Sequence, residues 1–315
     1  MVQVYSAAAV HAALPWDRLA RALETAFVAG AQVPVRHVHP LSERDVMLLM
    51  PAWDDRLIVT KLVTAIPGAP STVCATVLAV DRATGEPLAV LDGEAVTLRR
   101  TAAASALAAT RLARADASEL LVVGSGRLAG WVARAHAALL PGLQRVRVWG
   151  RRLAPAHALA DTLAAEGLPA QAVAPDGLEA AVRAADVVSC VTTAADPVVF
   201  GRWLKAGTHL DLVGGFRPDM REVDDEAVAR ARIVVDTHAG ALAEAGDLVQ
   251  PLRRGVIAPQ AIAGDLAELL RGRCAGRRDG HEITLFKSVG TALEDLAATR
   301  LVLGGQLGDA PPRPD

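Results

Sequence analysis

The run Glu119-Leu120-Leu121-Val122-Val123-Gly124-Ser125-Gly126-Arg127-Leu128-Ala129-Gly130 constrains the chain more than any other stretch. Four apolar residues, Leu120 to Val123, stop at a glycine turn, and an alanine-rich helical pattern from Trp131 to Leu140 begins at once. That context gives G-x-G-x-x-A its meaning. The first glycine allows a tight turn, the second lets backbone approach a pyrophosphate, and the small Ala129 lets helix and strand pack closely. The free N–H groups at the helix start favour an anion. A second strand, Arg145 to Trp149, follows at the spacing of a dinucleotide-binding unit.

The alternation continues downstream. Strands are expected at 145–149, 170–174, 186–191, 208–213, 232–236 and 283–286. Helices are expected at about 155–166, 176–184, 199–205, 223–230 and 261–271. This is an α/β chain with a Rossmann-type doubly wound sheet. With 52% hydrophobic residues and only 3% aromatic, its core must be Ala, Val and Leu, as parallel sheets favour.

The first ninety residues read differently. A short strand precedes a helix from about Trp16 to Val28, with Leu19, Leu23 and Phe27 at helical spacing and Gly30 at its end. Arg36 to Pro40 is extended. Val46–Met50, Leu57–Ala65 and Thr72–Asp81 are expected strands, and the turn Arg82-Ala83-Thr84-Gly85 leads into Leu88–Leu91. An Ala-rich helix is expected from Thr101 to Arg114, and a last helix from Gly290 to Leu303 that returns to the first domain. The tail from Gly304 to Asp315, rich in proline at its end, is expected to fray.

A net charge of -2, from 33 basic and 35 acidic residues, gives no support for nucleic-acid binding. The three cysteines are far apart and show no metal-ligand spacing, which fits a reduced, cytoplasmic location. No apolar run reaches the ~18 residues of a membrane span, and no export signal is evident. His37 and His39 lack the further ligands of a metal site, so no metal is expected. There is no G-x-S-x-G and no cysteine with a convincing base, so nucleophilic hydrolysis has no support.

Several cations stand out. After the second dinucleotide strand, where an NAD-binding fold usually places an acid, the chain has Gly150-Arg151-Arg152. Two planar guanidiniums there suit a 2′-phosphate, hence NADPH with NADH as the alternative. Their plainer reading is a solvated pair. Lys61 lies within Leu57-Ile58-Val59-Thr60-Lys61-Leu62-Val63, so its ammonium is expected in a sheet interior, where a protein or ligand carboxylate must meet it. The alternative is an edge lysine facing water. Arg100 stands just before the expected Thr101 helix, well placed for an anion, with Arg99 expected at the surface. Arg36 is a third cation that could join Lys61 and Arg100 around a small carboxylate.

These stretches together resemble the ornithine cyclodeaminase/mu-crystallin family over nearly the whole chain. The resemblance rests on Val33-Pro34-Val35-Arg36, Lys61-Leu62-Val63, Thr84-Gly85-Glu86-Pro87 leading to Leu91-Asp92-Gly93, and Leu98 to Ser105. It continues through Gly124-Ser125-Gly126, Leu212-Val213-Gly214-Gly215, Pro218 to Asp224, and Phe286-Lys287-Ser288-Val289-Gly290. The resemblance implies a homodimer. It also implies a Rossmann domain at 114–290, and an α+β substrate-binding and dimerisation domain from 1–113 and 291–315. By the same resemblance, Arg36, Lys61, Thr76 and Arg100 hold the substrate carboxylate, with Lys61 and Arg100 the catalytic candidates. Gly124, Gly126, Arg127, Leu128, Ala129, Thr192, Val213 and Ser288 would then face the nicotinamide cofactor, beside Arg151 and Arg152.

Cyclodeaminases of this family carry an aspartate directly after Val-Gly-Gly. Here Phe216 follows Gly215. A phenyl ring cannot pair an ammonium, so ornithine's second amine would be desolvated without a partner. Phe216 to Glu222 instead resembles the bacterial reductases of Δ1-pyrroline-2-carboxylate and Δ1-piperideine-2-carboxylate. The expectation is NADPH-dependent reduction of such cyclic imines to L-proline or L-pipecolate. The alternatives are a cyclodeaminase-like lyase, an amino-acid dehydrogenase of the same fold, and a non-enzymatic NADPH-binding protein of crystallin type.

Overall fold

A computed structural model describes residues 2–304. The chain divides into two compact units, Met1–Thr101 with Thr291–Asp315 and Ala102–Gly290. The sequence puts this junction at 113/114. In the structure the first unit ends at Thr101. The expected fraying of the tail concerns residues beyond 304, outside the described range.

The first unit is built on a six-stranded sheet of order β1-β6-β5-β4-β3-β2. Its strands are β1 (Gln3–Tyr5), β2 (His37–Pro40), β3 (Val46–Trp53), β4 (Leu57–Ala65), β5 (Val73–Asp81) and β6 (Pro87–Asp92). Strands β2 to β6 run antiparallel, and β1 joins β6 in parallel. Side chains alternate between the faces. Met50, Lys61, Val77 and Leu91 share the inner face, and Leu49, Leu62, Thr76 and Asp92 the outer. The inner face is covered by helices α1 (Ala7–Ala13) and α11 (Ala292–Leu303), and α2 (Trp16–Ala29) packs on α11. Leu19, Leu23 and Phe27 bury one stripe of α2, and Gly30 ends it at φ 81°. Helix α1 was not anticipated; seven residues with a single buried apolar side chain, Val10, give no periodic signal.

Helix α3 (Gly93–Leu112) starts eight residues before the expected Thr101. Asp92 accepts from the Ala95 amide at 2.8 Å, as a capping residue does. Gly93 is required there, because a Cβ would come within 2.5 Å of the Ala75 backbone. Arg100 therefore lies inside a helix and not ahead of one. Arg99 is buried as well, contrary to expectation, with its guanidinium 3.7 Å over the Trp16 ring.

The second unit carries an eight-stranded parallel sheet of order β13-β12-β14-β11-β10-β7-β8-β9. The strands are β7 (Glu119–Val123), β8 (Arg145–Trp149), β9 (Ala170–Val173), β10 (Val187–Cys190), β11 (His209–Leu212), β12 (Ala231–Val235), β13 (Ile262–Asp265) and β14 (Ile283–Lys287). Helices cover both faces. Leu120 and Val122 enter one apolar cluster with Ala129, Ala133 and Leu163. Leu121 and Val123 enter the other with Val182 and Leu210. That explains the unbroken apolar run in β7.

The chain departs from its sequence pattern at three places. The helix expected at 199–205 is only a single turn, Gly201–Trp203, because Gly201 packs so closely on α7 (Asp225–Arg230) that a Cβ would lie 2.4 Å from the Ala227 amide. The helix expected at 261–271 is strand β13 followed by α10 (Leu266–Leu270), with Asp265 capping it. Helices α8 (His238–Glu244) and α9 (Gly246–Arg253) were hidden by Gly240, Gly246 and Pro251, residues that punctuate helical patterns. No helix among the described residues is long and apolar enough to cross a membrane.

Candidate functional site

In the second unit, strand order reverses around β7, which has β8 on one side and β10 on the other. Ligands of open α/β sheets bind at the carboxyl ends of strands at such a point. A cleft of about 600 Å³ lies there. Its walls come from the turn after β7 (Gly124, Gly126), the end of β8 (Arg151, Arg152) and the segment after β10 (Thr192, Asp196). Gly124 has φ 128°, a region side chains avoid, and a Cβ on it would press on Val191 at 3.0 Å. A Cβ at Gly126 would meet no atom within 4 Å, so backbone is open to a ligand there. Helix α4 (Ala129–Leu139) follows directly. These residues fit a dinucleotide. Arg127, Leu128 and Ala129 continue from the turn into α4. Val213, at the end of β11, and Ser288, after β14, lie outside this lining.

The segments after β10 and β11 are tied together by Glu222. Its carboxylate accepts from the Thr192 amide at 2.7 Å, the Thr192 hydroxyl at 3.0 Å, the Gly214 amide at 2.8 Å and the Gly215 amide at 3.2 Å. Lys287 Nζ lies 3.0 Å from Asp247 Oδ2 and 4.0 Å from Glu222 Oε2, and all three side chains are fully buried. Asp247 in turn accepts from the Glu222 and Val223 amides. Burial pushes the Glu222 carboxyl up to about 7, with the Lys287 ammonium opposing that rise and Asp247 adding to it. Phe216 follows this turn and is half exposed. Asp236, buried, receives the Ser288 hydroxyl and the Val289 and Gly290 amides. None of Glu222, Asp247, Lys287 or Asp236 was picked out as a site residue from sequence.

In the first unit, Lys61 is 2% exposed on the inner face of β4, so the water-facing alternative does not hold. A protein carboxylate meets it. Lys61 Nζ donates to Asp295 Oδ1 at 3.0 Å, lies 2.9 Å from Oδ2, and donates to Thr97 Oγ1 at 3.3 Å. Arg100 joins the same cluster. Its Nε donates to Asp295 Oδ1 at 3.2 Å and its Nη1 to Glu294 Oε2 at 2.5 Å. Helix α11 thus supplies two buried acids to two buried cations. Burial and then the Arg100 charge pull the Lys61 ammonium down from 10.5 to about 8, while Asp295 and Glu294 work the other way. The structure brings Lys61 and Arg100 together. It does not bring Thr76 to them, because Thr76 pairs with Leu62 and shares that residue's outer face, opposite Lys61. Arg36 is half-buried on the segment entering the edge strand β2, with β3 between that strand and β4.

Among the described residues, one group could hold a metal ion, His238, Asp265 and Glu268. Its two carboxylates are already engaged in the capping box of α10.

A family model described as ornithine cyclodeaminase/mu-crystallin family matches residues 2–307. A relative named Δ1-pyrroline-2-carboxylate reductase, from Colwellia psychrerythraea, is 33% identical over 315 residues, or 96% of this chain and 98% of the relative. Among solved structures, the Δ1-pyrroline-2-carboxylate reductase of Thermococcus litoralis, in complex with NADH and L-proline, superposes with a TM-score of 0.90. It has 31% identity and covers 96% of each chain. An archaeal alanine dehydrogenase dimer with bound NAD gives a TM-score of 0.89 at 29% identity, covering 96% of this chain and 94% of that one.

Proposed function

The chain belongs to the ornithine cyclodeaminase/mu-crystallin family, and from that premise we propose that it is an NAD(P)H-dependent reductase of cyclic imines bearing a 2-carboxylate. Δ1-Pyrroline-2-carboxylate and Δ1-piperideine-2-carboxylate would give L-proline and L-pipecolate. The observation that carries this reading is Phe216 directly after Gly215, on a turn whose amides are pinned by Glu222. An apolar ring there suits a plain methylene ring and opposes a substrate with a distal ammonium. The relatives named for this reaction support it.

In the reaction a hydride adds to C2 and the nitrogen ends with one more proton, at the expense of one NAD(P)H and one proton. A nicotinamide supplies the hydride when bound. The chain's own residues have the remaining work. Arg100 and Lys61 offer counter-charge to the substrate carboxylate, with Arg36 as a further cation, and Glu294 and Asp295 keep the first two aligned. Holding a reactant in one orientation accounts for a large part of many rate enhancements.

Arg151 and Arg152, both exposed at the β8 end of the cleft, favour a 2′-phosphate and hence NADPH. Replacing both with Ala is expected to raise the KM for NADPH about ten-fold or more, the scale of lost charge-assisted hydrogen bonds, and to leave that for NADH nearly unchanged. Equal effects on the two cofactors would remove the preference. The outer face of the first sheet supports a homodimer: Val4, Leu62 and Leu78 are 77%, 39% and 39% exposed, beside Val90 and Leu49. All three cysteines are free, which suits a reducing, cytoplasmic compartment.

A second reading, a dehydrogenase joining ammonia to open-chain 2-oxo acids, is favoured by the likeness to the archaeal alanine dehydrogenase. One assay separates the readings. NADPH oxidation is followed with cyclic imines made in situ, with 2-oxo acids plus ammonia, and beside an ornithine deamination arm. Rapid oxidation with the imines alone is expected. Ammonia and proline appearing from ornithine would overturn the assignment.

A further inference from the structure

We propose that Glu222 is a positioning residue for the nicotinamide half of the cofactor. The proposal rests on a nicotinamide dinucleotide occupying the cleft at β7, which binding to the unaltered protein tests separately.

The cleft has two flanks, set by the strand order β10-β7-β8. The β8 flank, with Arg151 and Arg152, is where such folds meet the adenosine ribose. The β10 flank, with Thr192, lies across the glycine turn and is left for the other half of the dinucleotide. Glu222 holds this second flank. Both of its oxygens are used twice, Oε1 by the amide and hydroxyl of Thr192 and Oε2 by the amides of Gly214 and Gly215.

The two turns so joined are in backbone contact. A Cβ on Gly214 would stand 1.9 Å from the Thr192 carbonyl oxygen and 2.4 Å from its amide. Only an acceptor with two oxygens can meet donors on both turns at once, and only a glycine lets the turns approach that closely. Glu222 is itself fixed from behind, where Asp247 accepts from its amide at 2.7 Å and Lys287 balances the two acids. None of these hydrogen bonds to the Glu222 carboxylate runs to the β8 flank. Its loss should therefore be felt by one half of the cofactor only.

The test compares two ligands, intact NADPH and 2′-phospho-ADP-ribose, which lacks the nicotinamide. Dissociation constants are read calorimetrically on the full chain, without turnover. In Glu222→Gln, one acceptor oxygen becomes an NH2 that faces N–H donors. The dissociation constant for NADPH is expected to rise about ten-fold or more, and that for 2′-phospho-ADP-ribose to change less than about two-fold, within the scatter of surface substitutions. Gly214→Ala leaves the charges alone and pushes the same turns apart, so it should give the same split. Thr192→Val removes a single donor and should give a smaller one if either of the others fails to fold. Equal loss of both ligands would mean general damage to the domain and overturn the proposal. Unchanged affinity for NADPH in a folded variant would do so too.

Discussion

Lys61 sits where a strand would ordinarily place a leucine, and its ionisation carries a signature that can be measured. Burial, followed by the Arg100 charge, lowers its ammonium from 10.5 to about 8. A depressed folded value means the neutral form is preferred on folding. The corresponding stability is present above about 10.5 and is lost as pH falls through about 8, at a cost of about 3 kcal/mol for the charged form. Function runs the opposite way. Above about 8 the cluster loses one positive charge, so on the proposed function its attraction for a substrate carboxylate weakens. The pH profile of kcat/KM for the imine should therefore fall on its alkaline side with an apparent pKa near 8. In Lys61→Arg, whose guanidinium stays charged, that limb should move to higher pH. A limb that stays in place would assign it to another group.

Helix α11 shows at the level of elements why this cluster is hard to see in a sequence. It is buried almost all round, from Ala292 to Thr299, and it carries Glu294 and Asp295 into the interior of the first unit. Removing Asp295 takes the acid from Lys61 and leaves Arg100 with Glu294. Asp295→Ala is expected to cost about 3–5 kcal/mol in a denaturant titration, the scale of a broken buried ion pair; a cost below about 1 kcal/mol, as at an exposed pair, would contradict the burial. The helix itself was legible, because its apolar residues are dense and a glycine precedes it. Its partners were not: Asp295 lies 234 residues from Lys61 and 195 from Arg100. A run of apolar and β-branched residues gave Leu57–Ala65 to the residue, and the glycine turn gave β7 and α4. Alternation separates Thr76 from Lys61, though only once the register Leu62–Thr76 is known. Arg99 and Arg100 were misplaced for a local reason, since Asp92 starts the helix earlier than the alanine run suggests. The Glu222 set failed to appear for the same reason as Asp295, with Lys287 and Asp247 brought in from other elements.

For the molecule as a whole, assembly is open to direct measurement. If two copies meet through the outer face of the first sheet, a lysine in place of Leu78 puts a charge into that contact. Sedimentation should then report a single chain where the parent protein reports two, with an unchanged circular dichroism spectrum. A parent protein already present as single chains would remove the case for this face. Strand β14 has a different bearing. It is the last strand of the second unit in sequence, yet it lies between β11 and β12 in space. During synthesis, β7 to β11 and the pair β12–β13 therefore emerge as two pieces with raw edges, and neither can join the other until residues 283–287 leave the ribosome. Between the emergence of β12 and that of β14 the nascent chain has a gap in the middle of its sheet, and a protein cut short just before residue 283 would carry the glycine turn and nearly all its helices but expose two templates for aggregation.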